Sequence, residues 1–217
     1  FSYKEFQIRD LRFQIACSAR YSSTISSTSC LTSSATGGGV WKTVNAGTTW
    51  NSIFDGQGSY HYNSGDSYSG QWVAGEKHGR GDFKWANGNR YEGQFRNDQR
   101  TGLGKFFWPN DTRYEGQFRD GIQHGQGTKF WANGDRYEGQ WRDDAMNGQG
   151  TFFYANGNRF EGAFRQNQIH GQGTYYFYNG DRYVGPWLRG ERDGPGIYYD
   201  AKGNSKQMEY RGGRRVT

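Results

Sequence analysis

From Tyr68 onward, rings and glycines alternate with polar residues, and the alternation returns every 23 residues. Six copies run without insertion over 68–90, 91–113, 114–136, 137–159, 160–182 and 183–205. With positions numbered 1 to 23 within a copy, positions 1, 3 and 5 read Tyr91, Gly93, Phe95, then Tyr114, Gly116, Phe118, then Tyr137, Gly139, Trp141. Residues two apart on a strand share a face, so this pattern predicts a first strand with aromatic rings and glycine on one side. Positions 12, 14, 16 and 18, for example Gly102, Gly104, Phe106 and Trp108, predict a second strand of the same kind. Asn133-Gly134, Asn156-Gly157 and Asn179-Gly180 at positions 20–21 predict type I′ hairpin turns. A second reversal is expected near positions 7–11, as in Asn97–Thr101. The array then reads as an antiparallel meander, two strands per copy, with no helical period.

Placing both ring-bearing sets on one face lets glycines make room for neighbouring rings. Full burial of one ring stabilises by roughly 1.5–3 kcal/mol. A bulky residue at Gly116 or Gly139 is expected to clash with a ring, and Lys129, at position 16, is expected to leave one local gap or to snorkel. The opposite face carries Arg, Glu and Gln at positions 23, 2, 4 and 6, with Phe107, Phe130, Phe153, Tyr176 and Tyr199 at position 17.

The Tyr-Glu-Gly-Gln-Trp/Phe opening, the His-Gly-x-Gly centre and the Asn-Gly-Asp-Arg close of these copies resemble the MORN (membrane occupation and recognition nexus) motif. The resemblance covers about 56–213. It implies an all-β fold: an elongated, twisted antiparallel sheet of consecutive β-hairpins, here roughly 55–60 Å long for six copies. It also implies assembly roles, in cytoskeletal scaffolds, ciliary radial-spoke heads and membrane junctions, with phosphoinositide binding described for some members.

The organisation predicted is an irregular Ser/Thr-rich lead-in over 1–36, degenerate first hairpins over 37–67, six repeats over 68–205, and a half-repeat cap with a basic tail over 206–217. Thr43-Val44-Asn45-Ala46-Gly47-Thr48-Thr49-Trp50 also resembles a single Asp-box, the turn motif of sialidase-like propellers, with Asn45 in place of Asp. The chain begins at Phe1, not Met, which leaves targeting undecided.

Composition narrows the function. Only 32% of residues are hydrophobic but 18% are aromatic, with 35 glycines, which suits a thin sheet better than a thick aliphatic core. The net charge of +6 without a basic cluster gives no reason to expect a nucleic-acid partner. Cys17 and Cys30 form neither a disulfide framework nor a metal-ligand spacing. No apolar run approaches the ~20 residues of a membrane span. His78, His124 and His170 recur at position 11, but four strands between successive copies separate them by roughly 19 Å, far beyond metal-bond reach. They read as turn residues. Glu92, Glu115, Glu138 and Glu161 each lie between arginines in repeating environments, whereas an acid/base pair needs unlike ones. The Gly-x-Gly units lack the helix that would receive phosphate. No catalytic residue, metal site or cofactor is expected, and the chain reads as a non-enzymatic scaffold.

The second face is where a partner is expected. One reading leaves its rings and arginines merely solvating the sheet. The favoured reading makes Phe107, Phe130, Phe153, Tyr176 and Tyr199, flanked by Arg96, Arg119 and Arg142, a groove for other proteins of a larger assembly. An alternative takes acidic phosphoinositide lipids through Arg211, Arg214 and Arg215. Terminal strands near residues 56 and 210 are candidates for self-association. The family resemblance implies a cytoplasmic, cytoskeletal or ciliary setting; a bacterial extracellular protein with a carbohydrate-related role is the further alternative, prompted by the Asp-box.

Overall fold

The structure, a computed structural model, describes residues 41–43, 50–52 and 55–216. The predicted lead-in over 1–36 and both cysteines lie outside the described residues. Strands β1 (Trp41–Thr43) and β2 (Trp50–Ser52) pair with each other as a small hairpin. The array begins with β3 (Gly56–His61), β4 (Ser67–Val73), β5 (Glu76–Lys84), β6 (Arg90–Arg96) and β7 (Gln99–Phe107). It continues with β8 (Arg113–Arg119), β9 (Ile122–Phe130), β10 (Arg136–Arg142), β11 (Ala145–Phe153), β12 (Arg159–Arg165) and β13 (Gln168–Tyr176). It closes with β14 (Arg182–Leu188), β15 (Glu191–Arg192), β16 (Gly194–Tyr199), β17 (Ser205–Arg211) and β18 (Arg214–Arg215). From β3 to β18 these form one open, antiparallel, 16-stranded sheet in chain order, with β15 as a short pairing on β14. The predicted hairpin array is therefore present. Its C-terminal edge is β18, because Tyr210 lies in β17, already paired on both sides.

The chain divides into two compact units: residues up to 86 with 94–99, and residues 87–93 with 100 onward. In the first, Tyr68 is fully buried and meets Trp72 and Phe95 edge-on at 4.9 and 5.2 Å. In the second, the same contact recurs as a ladder. Tyr114 meets Phe118 and Trp141 at 5.2 and 5.1 Å, Tyr137 meets Trp141 and Phe164 at 5.4 and 4.9 Å, and Phe160 meets Phe164 and Trp187 at 5.3 Å. Every ring pair is T-shaped, the geometry that sets a positive ring edge on a negative ring face. Each position-1 ring thus joins its own repeat to the next.

The glycines beneath these rings have a steric cause. At Gly139 a Cβ would stand 2.5 Å from the Tyr137 hydroxyl and 2.6 Å from the Gly150 Cα. Tyr137 lies across its own hairpin's glycine pair, and its hydroxyl donates to the Gln140 carbonyl at 3.0 Å. Tyr68 and Tyr114 do the same to Gln71 and Gln117. Burial pushes the phenol pKa of Tyr114 and Tyr137 well above the ordinary value. At position 1 of the fifth repeat Phe160 keeps the packing without the hydroxyl.

Turn chemistry differs from the expectation in two ways. The two-residue turn with both residues at positive φ is at positions 7–8, in Asn97-Asp98, Asp143-Asp144 and Gln166-Asn167. At positions 19–21 the loop has three residues. In Ala132-Asn133-Gly134 only the glycine is left-handed, at φ 92°, while Gly134 N–H donates to the Trp131 carbonyl and Trp131 N–H to that of Asp135. This is a type I turn closed by a left-handed glycine. The asparagine serves another purpose: its Oδ1 accepts the Asp135 N–H at 3.0 Å. The second repeat places Asp111 at the left-handed position, at φ 62°. We expect Asp111→Gly to stabilise the protein by about 1 kcal/mol, read as a raised denaturation midpoint; an unchanged or lowered midpoint would show that Asp111 is unstrained.

Because the first turn takes only two residues, the second strand starts at position 9. The histidines at position 11 therefore lie within strands, as His78 does in β5, and are not turn residues. A bulge follows. Gly139 pairs with Gly150, but Trp141 pairs with Met146, so the second strand carries two extra residues there. Position-12 glycines occupy the bulge at positive φ, with Gly148 at 102°. A Cβ there would collide with the Gln140 side chain, not with a ring. Gln140 Oε1 accepts the bulge N–H of Gln149 at 2.8 Å, and Gln117 does so for Gln126 at 2.9 Å. The expectation that position 12 lies under a ring is thus corrected. The two extra residues keep the side-chain phase, and because the strand now starts at position 9, position 10 continues the face of position 14 and enters the core as Gln123, Met146 and Ile169.

Side chains of Asp and Asn staple successive repeats at both turn edges. Asp135 Oδ1 accepts the N–H of Ala155, and Asn158 Oδ1 that of Tyr178, at 2.8 and 2.9 Å. At the other edge Asp144 accepts from Gln123 and Asn167 from Met146, at 2.7 and 2.8 Å. Positions 22 and 8 thus hold the neighbouring hairpin 20 or 21 residues away.

Candidate partner-binding faces

On the outer face, the predicted position-17 rings line up with the arginines of position 23. Arg136 pairs with Phe130 on one side and Phe153 on the other. Each guanidinium lies over the following ring: Arg113 over Phe130 at 3.7 Å, Arg136 over Phe153 at 4.1 Å, Arg159 over Tyr176 at 4.0 Å and Arg182 over Tyr199 at 4.1 Å. Arg90 stands 5.9 Å from the Phe107 ring. Except for Arg182, which precedes Val184, the same arginines hold the glutamates two residues on, with Arg113 Nε to Glu115 at 3.0 Å and Arg159 Nε to Glu161 at 2.7 Å. Lys105 adds a second cation at Glu115, and together they hold its carboxyl below the usual range.

The structure does not bring Arg96, Arg119 and Arg142 to these rings. They are exposed at position 6, the far end of the first strand, six residues or roughly 20 Å from position 23. Arg142 instead lines a shallow pocket at the turn edge with Asp143, Asn147, Phe164, Gln166 and His170. Arg211 and Arg214 are exposed and face each other across β17 and β18, and Arg215 pairs with Tyr210. Among the described residues no cluster of three or more His, Cys, Asp or Glu could hold a metal ion.

The core face has a second aromatic row, which sequence reading assigned wholly to the core. Positions 16 and 18 form a continuous chain of rings in the second unit: Trp131 to Phe152 at 5.3 Å, Phe152 to Tyr154 at 4.7 Å, Tyr154 to Tyr175 at 5.7 Å, Tyr175 to Phe177 at 5.0 Å and Phe177 to Tyr198 at 5.9 Å. All six are half-buried, whereas Tyr114, Tyr137 and Phe160 of the same face are completely covered. Asn158 Nδ2 donates to the Tyr175 hydroxyl at 2.9 Å, and the Tyr198 hydroxyl donates to Asp181, so the position-22 residues also fix this row. Burial, then the neighbouring Tyr175 and Asp135, push the Tyr154 phenol up to about 12. Lys129 interrupts the row, its ammonium lying 4.8, 5.3 and 6.0 Å from the Trp108, Trp131 and Trp141 rings. Its ammonium lies among the rings and is partly desolvated, so it does not reach out to water as a snorkelling lysine would.

Among solved structures, the chain is similar to the G-box domain of the microcephaly protein CPAP, in a study that suggests a role in centriole elongation for it, with a TM-score of 0.47 at 11% identity over 80% of this chain and 93% of that one. It is also similar to the Drosophila melanogaster SAS-4 (dCPAP) TCP domain, in complex with a proline-rich motif of Ana2, with a TM-score of 0.38 at 12% identity over 71% and 90%. The Danio rerio CPAP TCP10 domain, in complex with a STIL peptide, gives a TM-score of 0.30 at 11% identity over 80% and 90%. No curated protein matches. The Asp-box-like reading of 43–50 is not borne out: residues 44–49 lie outside the described residues, and a repeat match of another family begins at residue 50. That family's model matches seven times, over 50–67, 68–90, 91–113, 114–136, 137–159, 160–182 and 183–205, and the chain belongs to the MORN repeat family.

Proposed function

We propose that the chain is a non-enzymatic protein-interaction module of a larger assembly, and that its docking surface is the half-exposed ring row of positions 16 and 18. The observation that carries this is the difference in contacts between two aromatic sets that are both half-buried. Phe130, Phe153, Tyr176 and Tyr199 lie 3.7, 4.1, 4.0 and 4.1 Å, respectively, from one of the protein's own guanidinium groups, while among the described residues Phe152 and Tyr154 stand beside one another with no cation over them. Rigid aromatic side chains bind at low entropic cost, because their neighbours already fix them. Family membership supports a cytoskeletal or ciliary setting for such an assembly.

The test compares two double variants in cross-linking and pull-down from native extract. Tyr154→Ala with Phe177→Ala is expected to weaken retention of specific partners at least tenfold, while Phe130→Ala with Phe153→Ala weakens it less. The reverse order would return the docking surface to the outer face. The lipid reading rests on the exposed Arg211–Arg214 pair, and flotation with phosphoinositide vesicles at physiological salt decides it: no binding removes it.

A further inference from the structure

The ring row contains one charged residue whose surroundings do not complete it. Lys129 takes position 16, where the neighbouring repeats carry Phe106 and Phe152. Its register partners are Tyr114 and Tyr137, and its ammonium is surrounded by the rings of Trp108, Trp131 and Trp141. Among the described residues it makes no ion pair or hydrogen bond. Partial burial lowers the Lys129 pKa, partly offset by the field of Asp144, whose Oδ1 is already engaged by the Gln123 N–H. Indole faces hold a cation but offer it no acceptor, so a desolvated ammonium here retains most of its attraction for an anion. A second cation lies on the same face. The Arg192 guanidinium is within 4.7–5.7 Å of the Phe177, Tyr183, Trp187 and Tyr210 rings and donates to the Tyr210 hydroxyl. The carboxylates of Glu115, Glu138 and Glu161 are committed to arginines on the opposite face. The ring row is thus apolar, with Lys129 and Arg192 as cations along it and with the Asp135 and Asp181 carboxylates at its turn edge, where they are held by the Ala155 and Ala201 N–H groups.

We propose that this face takes an acidic-apolar segment of a protein partner, one Asp or Glu carboxylate of which pairs with the Lys129 ammonium among the three indoles. The proposal rests on the ring-row reading above and adds the chemistry of the occupant. Apolar side chains of the segment cover Phe152, Tyr154 and Phe177, and the carboxylate fixes its register. An ion pair formed where both groups leave water contributes selectivity more than affinity, because a neutral or basic residue placed there leaves the ammonium uncompensated.

The experiment selects random 12-residue peptides displayed on phage against the full chain and repeats the binding with Lys129→Phe, a residue that position 16 already accommodates in three repeats, as Phe83, Phe106 and Phe152. Enriched peptides are expected to carry Asp or Glu beside Leu, Phe or Trp. Replacing that acid by Asn or Gln should weaken binding about tenfold, Lys129→Phe should weaken it about as much, and the two changes together should cost little more than either. Neutral or basic enriched peptides, no enrichment, or equal losses for acidic and amidated peptides on Lys129→Phe each overturn the proposal, as does Lys129-dependent binding seen with phosphoinositide vesicles and not with peptides. The Tyr154→Ala, Phe177→Ala variant separates the two readings. Intact peptide binding by it removes the ring row itself, whereas its loss together with indifference to the acid removes only the carboxylate pairing.

Discussion

Replacing Tyr137 by alanine is expected to lower stability by about 3–5 kcal/mol, the range for emptying a large aromatic site in a packed interior. The ring is fully buried, spans its own glycine pair, meets Trp141 and Phe164 edge-on, and donates to the Gln140 carbonyl. It also joins two repeats, so its loss removes an interface as well as a core residue. Stability in repeat arrays is a sum of repeat and nearest-neighbour terms, and a cut in the middle should broaden the urea transition. A loss below about 1 kcal/mol would show that the ring ladder does not hold the array together. Tyr137→Phe, with Phe160 as its natural precedent, should cost only about 1 kcal/mol, the worth of one hydrogen bond.

Gly150→Ala is expected to cost about 1–3 kcal/mol through overpacking, and the source of the clash can be isolated. The nearest atoms to a Cβ at Gly150 all belong to the Tyr137 ring, the ring carbon Cζ at 2.6 Å among them. At Gly139 the neighbours include backbone, the Gly150 Cα at 2.6 Å and the Gln149 carbonyl oxygen at 2.7 Å. In a Tyr137→Ala background, Gly150→Ala should therefore become nearly neutral, while Gly139→Ala should remain costly. Urea denaturation of the three single and two double variants reads the coupling directly. Equal behaviour at the two glycines would refute the assignment of the ring as the obstacle at Gly150.

The same geometry explains what the sequence made legible. Positions 1, 3, 5 and 14 alternate with the strand period, so the ring-on-glycine core and the number of hairpins were readable from Tyr114, Gly116 and Phe118 alone. The bulge was not, because Gly148 looks identical in sequence whether it makes room for a ring or adopts positive φ beside Gln140. The useful signal was the co-occurrence of position-4 glutamine with position-12 glycine. Ala163 and Pro186 in the fifth and sixth repeats are its exceptions: Gly171 faces only the Ala163 Cβ at 3.5 Å, and Gly194 meets the Pro186 ring at 3.0 Å. Met146 and Ile169 fell on no predicted face because the turn was expected to extend to position 11, whereas the strand starts at position 9. The Asn-Gly pairs gave a correct reversal of the wrong kind, since the asparagine acts through its side chain. The candidate surface was legible as residue types but not as states. Sequence places Phe153 and Tyr154 next to each other on opposite faces; only coordinates show that both are half-buried and that Arg136 lies over the first at 4.1 Å.

The turn-edge staples have a kinetic consequence. All-β chains fold slowly when strands distant in sequence must find one another. Here Asp135 holds Ala155, and Asn167 holds Met146, across loops of 20 and 21 residues. Closing loops of that length carries a modest entropic cost that barely changes along the chain. A newly made hairpin needs only its predecessor as a template, so the ribbon can assemble from one end during synthesis, in the order in which it is translated.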